Sequence, residues 1–256
     1  MRNYFDSREA AGRYSVARPY FHPLVIGKIK GFLGLDCPVP LALDVACGTG
    51  QSTVALKEIA EEIVGTDPSE EMLTRAPRDD RIRYVRATAE DLTFHEAEFD
   101  LLTVSEALHW FDRDLFLAEA SRVLRPCGEL IVYGSRFGAG MKENPEYKKW
   151  VEEEYFIRYP APPRNKDPLT EDEARKHGFA LVGHEDYTYE VSFSLEELVN
   201  YMMSHSSVLA VIGEKGGENQ EVVREWLTDA QAPFFEGPRG TFLFEGSIDY
   251  LRRETS

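Results

Sequence analysis

Two apolar runs, each closed by an acid and separated by a small-residue turn, limit what this chain can fold into. Residues 41–53 read LALDVACGTGQST, and a second run, Ile63-Val64-Gly65-Thr66-Asp67, ends fourteen residues beyond Thr53. Residues 41–45 are almost all apolar, which predicts a strand covered on both faces. A turn, a short helix and a second strand then make a βαβ unit with parallel neighbouring strands. The carboxyl ends of such strands are where an α/β sheet opens a crevice for a nucleotide-like ligand.

The same rhythm continues. Helices are expected at 23–35, 52–59, 70–76 and 113–124, and strands at 41–45, 62–66, 82–86, 99–104 and 128–133. Pro126-Cys127-Gly128 reads as the turn between the last helix and strand. Strand and helix alternate over 41–134, which predicts an α/β fold with a doubly wound, mostly parallel sheet. The rhythm breaks at 137–177, where glycines, the cluster Tyr147, Trp150, Tyr155, Phe156 and Tyr159, and Pro160, Pro162 and Pro163 read as an insertion or lid. A strand is expected at 187–193, and Ser194 with Glu197 forms a capping box opening the next helix. A charged loop at 213–219, a helix at 221–230 and a final strand at 241–251 complete the chain. The whole is read as one domain, 1–256, with N-terminal cap helices in 1–36 and substrate-side insertions at 137–185 and 194–235.

Composition removes several function classes. The net charge of −16, from 45 acids against 29 Lys and Arg, repels a phosphate backbone. Cys37, Cys47 and Cys127 make neither a metal spacing nor an even disulfide framework, so a reducing compartment and no metal are expected. The N-terminus is charged and tyrosine-rich, unlike a secretory signal. No stretch approaches bilayer length. A cytoplasmic protein without nucleic-acid or membrane partners is expected, either monomer or homodimer.

The turn itself discriminates among cofactors. A dinucleotide fingerprint requires a third glycine for close helix–strand packing, but Gly48-Thr49-Gly50-Gln51-Ser52-Thr53 places a β-branched residue there. No phosphate-gripping lysine follows. Asp44, four residues before Gly48, sets a carboxylate close to the loop; that is awkward for a pyrophosphate and suits a cofactor whose near end is cationic.

Residues 43–50 resemble the glycine-rich motif of class I S-adenosylmethionine-dependent methyltransferases. Further segments agree in order: VGTDPSEEML at 64–73, Ala87-Thr88-Ala89-Glu90-Asp91-Leu92, FDLLTVSEALHWFD at 99–112 and RVLRPCGELIVY at 122–133. The third of these, 99–112, resembles the fourth strand and following loop of the small-molecule branch called methyltransferase type 11, and 122–133 resembles its helix-turn-strand. Phe5, Tyr14 and Arg18-Pro19-Tyr20 resemble the cap of trans-aconitate methyltransferase-like proteins. The resemblance implies a seven-stranded sheet with an antiparallel last strand. It implies S-adenosyl-L-methionine as cofactor, S-adenosyl-L-homocysteine as product and a small-molecule methyl acceptor. It places Asp67, with Pro68 and Met72, at the ribose, and Ala89 with Glu90 at the adenine. Asp44, Ala46, Gly48, Gly50 and Thr53 order the loop or the methionine end, with Ser105 and Leu108 as wall and Tyr14 and Arg18 closing over it. Many relatives carry glycine where this chain has Ala46, and alanine resists a positive φ.

His109 is the candidate base, its ordinary titration lying near neutrality; the alternative is that His109 and Trp110 wall the pocket. Tyr20 and Arg136 are acceptor-side candidates, Arg136 either gripping a carboxylate bidentately or forming a surface ion pair. Tyr155, Tyr159 and His205 fall in the same region. The expected reaction is methylation of a carboxylic acid or hydroxyl group, by alignment and exclusion of water. A catalytically silent cofactor-binding protein, a protein acceptor and a nicotinamide oxidoreductase are the rivals.

Overall fold

The computed structural model describes residues 18–163, 165, 167–212 and 217–255. Helix α1 (His22–Leu33) leads into strand β1 (Val39–Val45). Pro23 in its first turn presets the backbone, and Gly34 at φ +62° closes it. Helix α2 (Gln51–Ala55) tightens into a one-turn 3-10 segment, Leu56–Glu58, before β2 (Ala60–Asp67). Helix α3 (Glu70–Leu73), β3 (Ile82–Arg86), β4 (Phe99–Ser105), α4 (Arg113–Val123) and β5 (Leu124–Met141) follow. Helix α5 (Glu146–Trp150) runs through a π turn, Val151–Tyr155, into α6 (Phe156–Arg158). The chain ends with α7 (Glu171–Lys176), β6 (Phe179–Phe193), α8 (Leu195–Met203), α9 (Ser206–Ile212), α10 (Gln220–Gln231) and β7 (Gly240–Arg253).

The seven strands form one sheet in the order β3-β2-β1-β4-β5-β7-β6. Strands β3, β2, β1, β4 and β5 are parallel, with Leu43 opposite both Val64 and Leu102. Strand β7 runs against β5: Lys142 N donates to Thr241 O, while the Arg253 guanidinium reaches Leu124 O. The order reverses between β1 and β4, so the crevice opens beyond their carboxyl ends. Burial follows the apolar pattern, with Ala42 through Val45 and Ile63 through Asp67 all buried.

Three expectations need correction. Strand β5 extends well past residue 133, so 137–141 belong to the sheet and Arg136 lies within a strand. The Pro126-Cys127-Gly128 turn is a bulge in that strand: Phe99 pairs with Leu124 but Leu101 with Glu129, and Cys127 sits at φ +63°. Strand β6 begins at Phe179, eight residues before the expected start. It is an edge strand with a largely polar face, so His184, Glu185 and Asp186 hide the alternation. The capping box at Ser194 and Glu197 forms as expected.

The chain divides into two compact units. Among the described residues, one comprises 20–134, 165, 167–186 and 247–255, the other 18–19, 135–163, 187–212 and 217–246. The first is built around Leu43, Leu102, Phe116, Leu130 and Phe179, buried between sheet and helices. The second has an aromatic core in which Tyr147, Tyr155, Tyr159, Phe242 and Phe244 are buried. Tyr147 Oη donates to the buried Gln231 Oε1 at 2.8 Å, which satisfies its polar end. Among the described residues no helix is long and apolar enough to cross a membrane, and no His, Cys, Asp and Glu cluster could hold a metal.

Candidate functional site

The glycine loop leaves β1 through a series of left-handed residues: Ala46 at φ +56°, Gly48 at +55° and Gly50 at +78°. Cys47 N donates to Thr66 O at 2.8 Å and Gly50 N to Cys47 O at 2.9 Å, which holds the turn against β2. The glycines serve different ends. A Cβ on Gly50 would fall on the Tyr84 hydroxyl and lie 3.1 Å from Ala76 Cβ, whereas one on Gly48 would meet nothing within 4 Å. Gly48 therefore faces open space among the described residues, and Gly50 is required by the packing of Tyr84. Gly65 is required likewise, since a Cβ there would stand 2.9 Å from two Tyr84 ring carbons. Nothing in the sequence marks Tyr84 as a buttress of this loop.

Ala46 takes the conformation that its side chain disfavours. A left-handed residue with a Cβ costs roughly 1–2 kcal/mol, and a glycine in its place costs roughly 0.5–1 kcal/mol in chain entropy. Ala46→Gly is therefore expected to leave the protein as stable as before or to raise its stability by up to about 1.5 kcal/mol. Urea denaturation checks this; a loss of 1 kcal/mol would show that the backbone at Ala46 is unstrained.

Two carboxylates organise the loop from behind. Asp44 is fully buried. Its Oδ2 accepts from Ser52 Oγ at 2.6 Å and Thr53 Oγ1 at 2.7 Å, and its Oδ1 from Thr103 Oγ1 at 3.0 Å. The threonine that replaces a third glycine thus has a local reason: its hydroxyl ties α2 to β1. Burial pushes the Asp44 carboxyl up to about 6, with the three hydroxyls opposing the shift and the neighbouring Asp67 adding to it. Among the described residues no Lys, Arg or His pairs with Asp44. Asp67 ends β2, where its Oδ2 accepts from Gly48 N at 2.9 Å and its Oδ1 from Ser69 N at 2.8 Å. Ser69 caps α3, whose Met72 is buried, and the exposed Pro68 gives its carbonyl to Arg86 Nε.

The third wall comes from β3 and β4. Ala89 is buried in the core beside the open turn that links Thr88 and Asp91. Glu90 Oε1 accepts from Asp112 N at 3.0 Å, and Asp112 in turn caps α4. At the end of β4, Ser105 Oγ is buried without a hydrogen-bond partner among the described residues, as is Thr49 Oγ1 in the glycine loop. Glu106 follows at φ +58°. Leu108 packs on the core. His109 lies in the 3-10 turn Leu108–Trp110 with its ring 5.0 Å from that of Trp110.

The acceptor-side candidates are more dispersed. Tyr20 is 53% exposed, edge-on to His22. His22, which sequence reading passed over, is buried and shares a 3.1 Å hydrogen bond with Tyr133 Oη. In the other unit, Arg136 is largely exposed and forms two hydrogen bonds to Glu245 Oε2, at 2.7 and 3.1 Å. Arg18 donates to Ser204 O and lies 5.4 Å from the Tyr201 ring. Tyr155 Oη and His205 Nδ1 are 2.7 Å apart, and Tyr159 is buried. Tyr14 and Phe5 lie outside the described residues.

The residues around the loop fit an adenosyl cofactor with a cationic end. A buried carboxylate with no basic partner among the described residues favours positive charge, the open side of Gly48 lets backbone approach a ligand closely, and two buried hydroxyls, Thr49 in the glycine loop and Ser105 at the end of β4, have hydrogen-bonding capacity in hand. A pyrophosphate would meet the same carboxylates with repulsion.

Comparison with known proteins agrees. A methyltransferase-domain family model matches residues 43–132. An uncharacterized methyltransferase of Mycobacterium tuberculosis is 31% identical over 220 residues, covering 85% of this chain and 84% of that one. A demethylmenaquinone methyltransferase of Clavibacter sepedonicus is 39% identical over 95 residues, 35% of this chain and 39% of its own. The fold is shared with a solved structure from Anaeromyxobacter dehalogenans described as a type II methyltransferase, at a TM-score of 0.66 and 24% identity, over 87% of this chain and 94% of that one.

Proposed function

This chain belongs to the S-adenosylmethionine-dependent methyltransferases, in the type 11-like branch that acts on small molecules, and we propose that its acceptor is a hydroxyl-bearing or similar neutral molecule methylated chiefly through alignment. It transfers a methyl group from S-adenosyl-L-methionine to a small organic acceptor and leaves S-adenosyl-L-homocysteine. The bound cofactor supplies a methyl group made electrophilic by its sulfonium. The protein's own residues hold, orient and keep dry. Asp67 would accept the ribose hydroxyls while fixing Gly48, and Ala89 and Glu90 would border the adenine. The negative field of Asp44 would favour the cationic end, beside Ser105 and Leu108. The observation that carries this reading is the Asp67 carboxylate bonded at once to the glycine-loop N–H and to the start of α3, near Asp44, whose partners among the described residues are hydroxyls and no cation.

A carboxylic-acid acceptor, suggested by the trans-aconitate methyltransferase-like cap, lacks support in the residues meant to grip it. Arg136, the candidate anchor, is engaged by Glu245. The relative named for demethylmenaquinone is consistent with a small-molecule acceptor.

Calorimetric titration with S-adenosylmethionine, S-adenosylhomocysteine and NAD tests the cofactor reading. Binding of both adenosyl ligands and not of NAD is expected; NAD binding alone would replace it with an oxidoreductase. His109 is read as pocket wall, because its ring packs with Trp110 on a one-turn helix. His109→Phe should therefore keep kcat within about tenfold, against the roughly 10²–10⁴-fold loss expected for a general base. Single-turnover methyl transfer with the acceptor found by screening measures it.

A further inference from the structure

Glu106 is held at the mouth of the crevice by two features that an ordinary loop glutamate does not need. Its backbone is left-handed, φ +58°, a conformation costly for a residue with a Cβ and common where strain serves function. Its N–H is pinned to Tyr133 O at 3.0 Å, which fixes the residue just beyond the carboxyl end of β4, against the middle of β5. The second feature is Gly134. A Cβ there would stand 3.0 Å from Glu106 Oε1 and 3.8 Å from its Cδ, and would meet no other described atom within 4 Å. The missing side chain at 134 thus matches the Glu106 carboxyl. The preceding residue in the chain, Ser105, has a buried Oγ with no hydrogen-bond partner among the described residues. Both lie in the unit that carries Asp44, Asp67 and the glycine loop.

On the methyltransferase reading, we infer that Glu106 is a catalytic carboxylate that binds the acceptor through its O–H or N–H and takes that proton. The acceptor is then a hydroxyl or amine compound, and a carboxylate is disfavoured by like charge. The acceptor's oxygen or nitrogen bonds to the methyl carbon as the carbon–sulfur pair leaves with sulfur. The acceptor's proton passes to a Glu106 carboxylate oxygen and from there to water. Two carboxylates at the ends of β1 and β2, Asp44 and Asp67, add to the bias against an anionic acceptor.

The test uses the full chain, with S-adenosylhomocysteine binding measured first. Wild type, Glu106→Gln and Gly134→Ala are expected to bind it within about threefold of one another. Labelled S-adenosylmethionine is then offered with a panel of alcohols, phenols, amines and carboxylic acids. Wild type should methylate hydroxyl or amine compounds. Glu106→Gln should lower kcat by about 10²-fold or more, abolish the acid limb of the kcat–pH profile, and weaken calorimetric binding of that acceptor to the S-adenosylhomocysteine-loaded protein about tenfold. Gly134→Ala, which displaces the carboxylate without removing it, should lower kcat about tenfold. Glu106→Gln turning over within threefold of wild type overturns the proposal. So does loss of S-adenosylhomocysteine binding in that variant, which would make Glu106 a cofactor ligand. Turnover of carboxylic acids alone, or of nothing in the panel by a cofactor-binding wild type, also overturns it. Failure of the methyltransferase reading is separate: wild type would then bind no adenosyl ligand.

Discussion

Asp67→Ala is expected to weaken S-adenosylhomocysteine binding at least a hundredfold. The carboxylate accepts from Gly48 N at 2.9 Å and from Ser69 N at 2.8 Å, so its removal leaves two backbone donors unpaired and frees the glycine loop from β2. Hydrogen bonds to a charged group contribute roughly 1.5–3 kcal/mol each. A hundredfold loss is about 3 kcal/mol, less than those bonds and the assigned ribose contact together. Asp67→Asn should fall between the two, because one amide oxygen can still receive Gly48 N–H while the amide nitrogen confronts another donor. Calorimetry of wild type and both variants decides it. Affinity in Asp67→Ala within threefold of wild type would remove Asp67 from the cofactor site.

Asp44→Asn should be more stable than wild type at pH 7, and the difference should vanish on acidification. Its carboxyl is raised from 3.8 to about 6 in the fold by burial. Between those values the native state holds a proton that the unfolded chain has lost, so stability falls as pH rises through the window. The cost above pH 6 is about 3 kcal/mol. Asparagine imitates the protonated acid, so its advantage is about 3 kcal/mol at pH 7 and close to zero near pH 4. The wild-type profile alone conceals this. His22 is lowered from 6.5 to about 4, again by burial, and so stabilises above 6.5 and loses that contribution as pH falls towards 4. The two slopes oppose each other over much of the same range. Urea denaturation of both proteins across pH 4–7 isolates the Asp44 part by difference; parallel curves would refute it. Asp44→Asn should also weaken S-adenosylmethionine, which is cationic, more than S-adenosylhomocysteine, which lacks the sulfonium. Stability would then be exchanged for recognition.

Much of this site is legible in one dimension. The strands carrying Asp44 and Asp67 are apolar on both faces, so β1 and β2 stand out without alternation, and Gly48 and Gly50 mark the turn between them. The Ser194–Glu197 box announces α8 because capping is local. Elements with a solvated face are less visible. The first half of β6 is an edge strand whose polar residues break the pattern, and β5 continues through the Pro126–Gly128 bulge that reads as a stop. Side-chain direction is less visible still. Arg136 has the chemistry of a carboxylate anchor, yet it pairs with Glu245, a residue 109 positions away.

The sequence by itself determined the βαβ core, the glycine loop assigned to the cofactor and the family, because these rest on hydrophobic period, glycine placement and residue order, all properties of neighbours in the chain. The tertiary structure decided what the loop is braced by and which charges are unpaid by a partner. Tyr84 fills the space left at Gly50 and Gly65, Thr103 completes the hydroxyl shell of Asp44, and Gly134 makes room for the Glu106 carboxyl. Each of these joins residues far apart in sequence. Only the pairing of β1, β2, β3, β4 and β5 brings them within a few ångströms, where packing and burial, rather than spacing, set their chemistry.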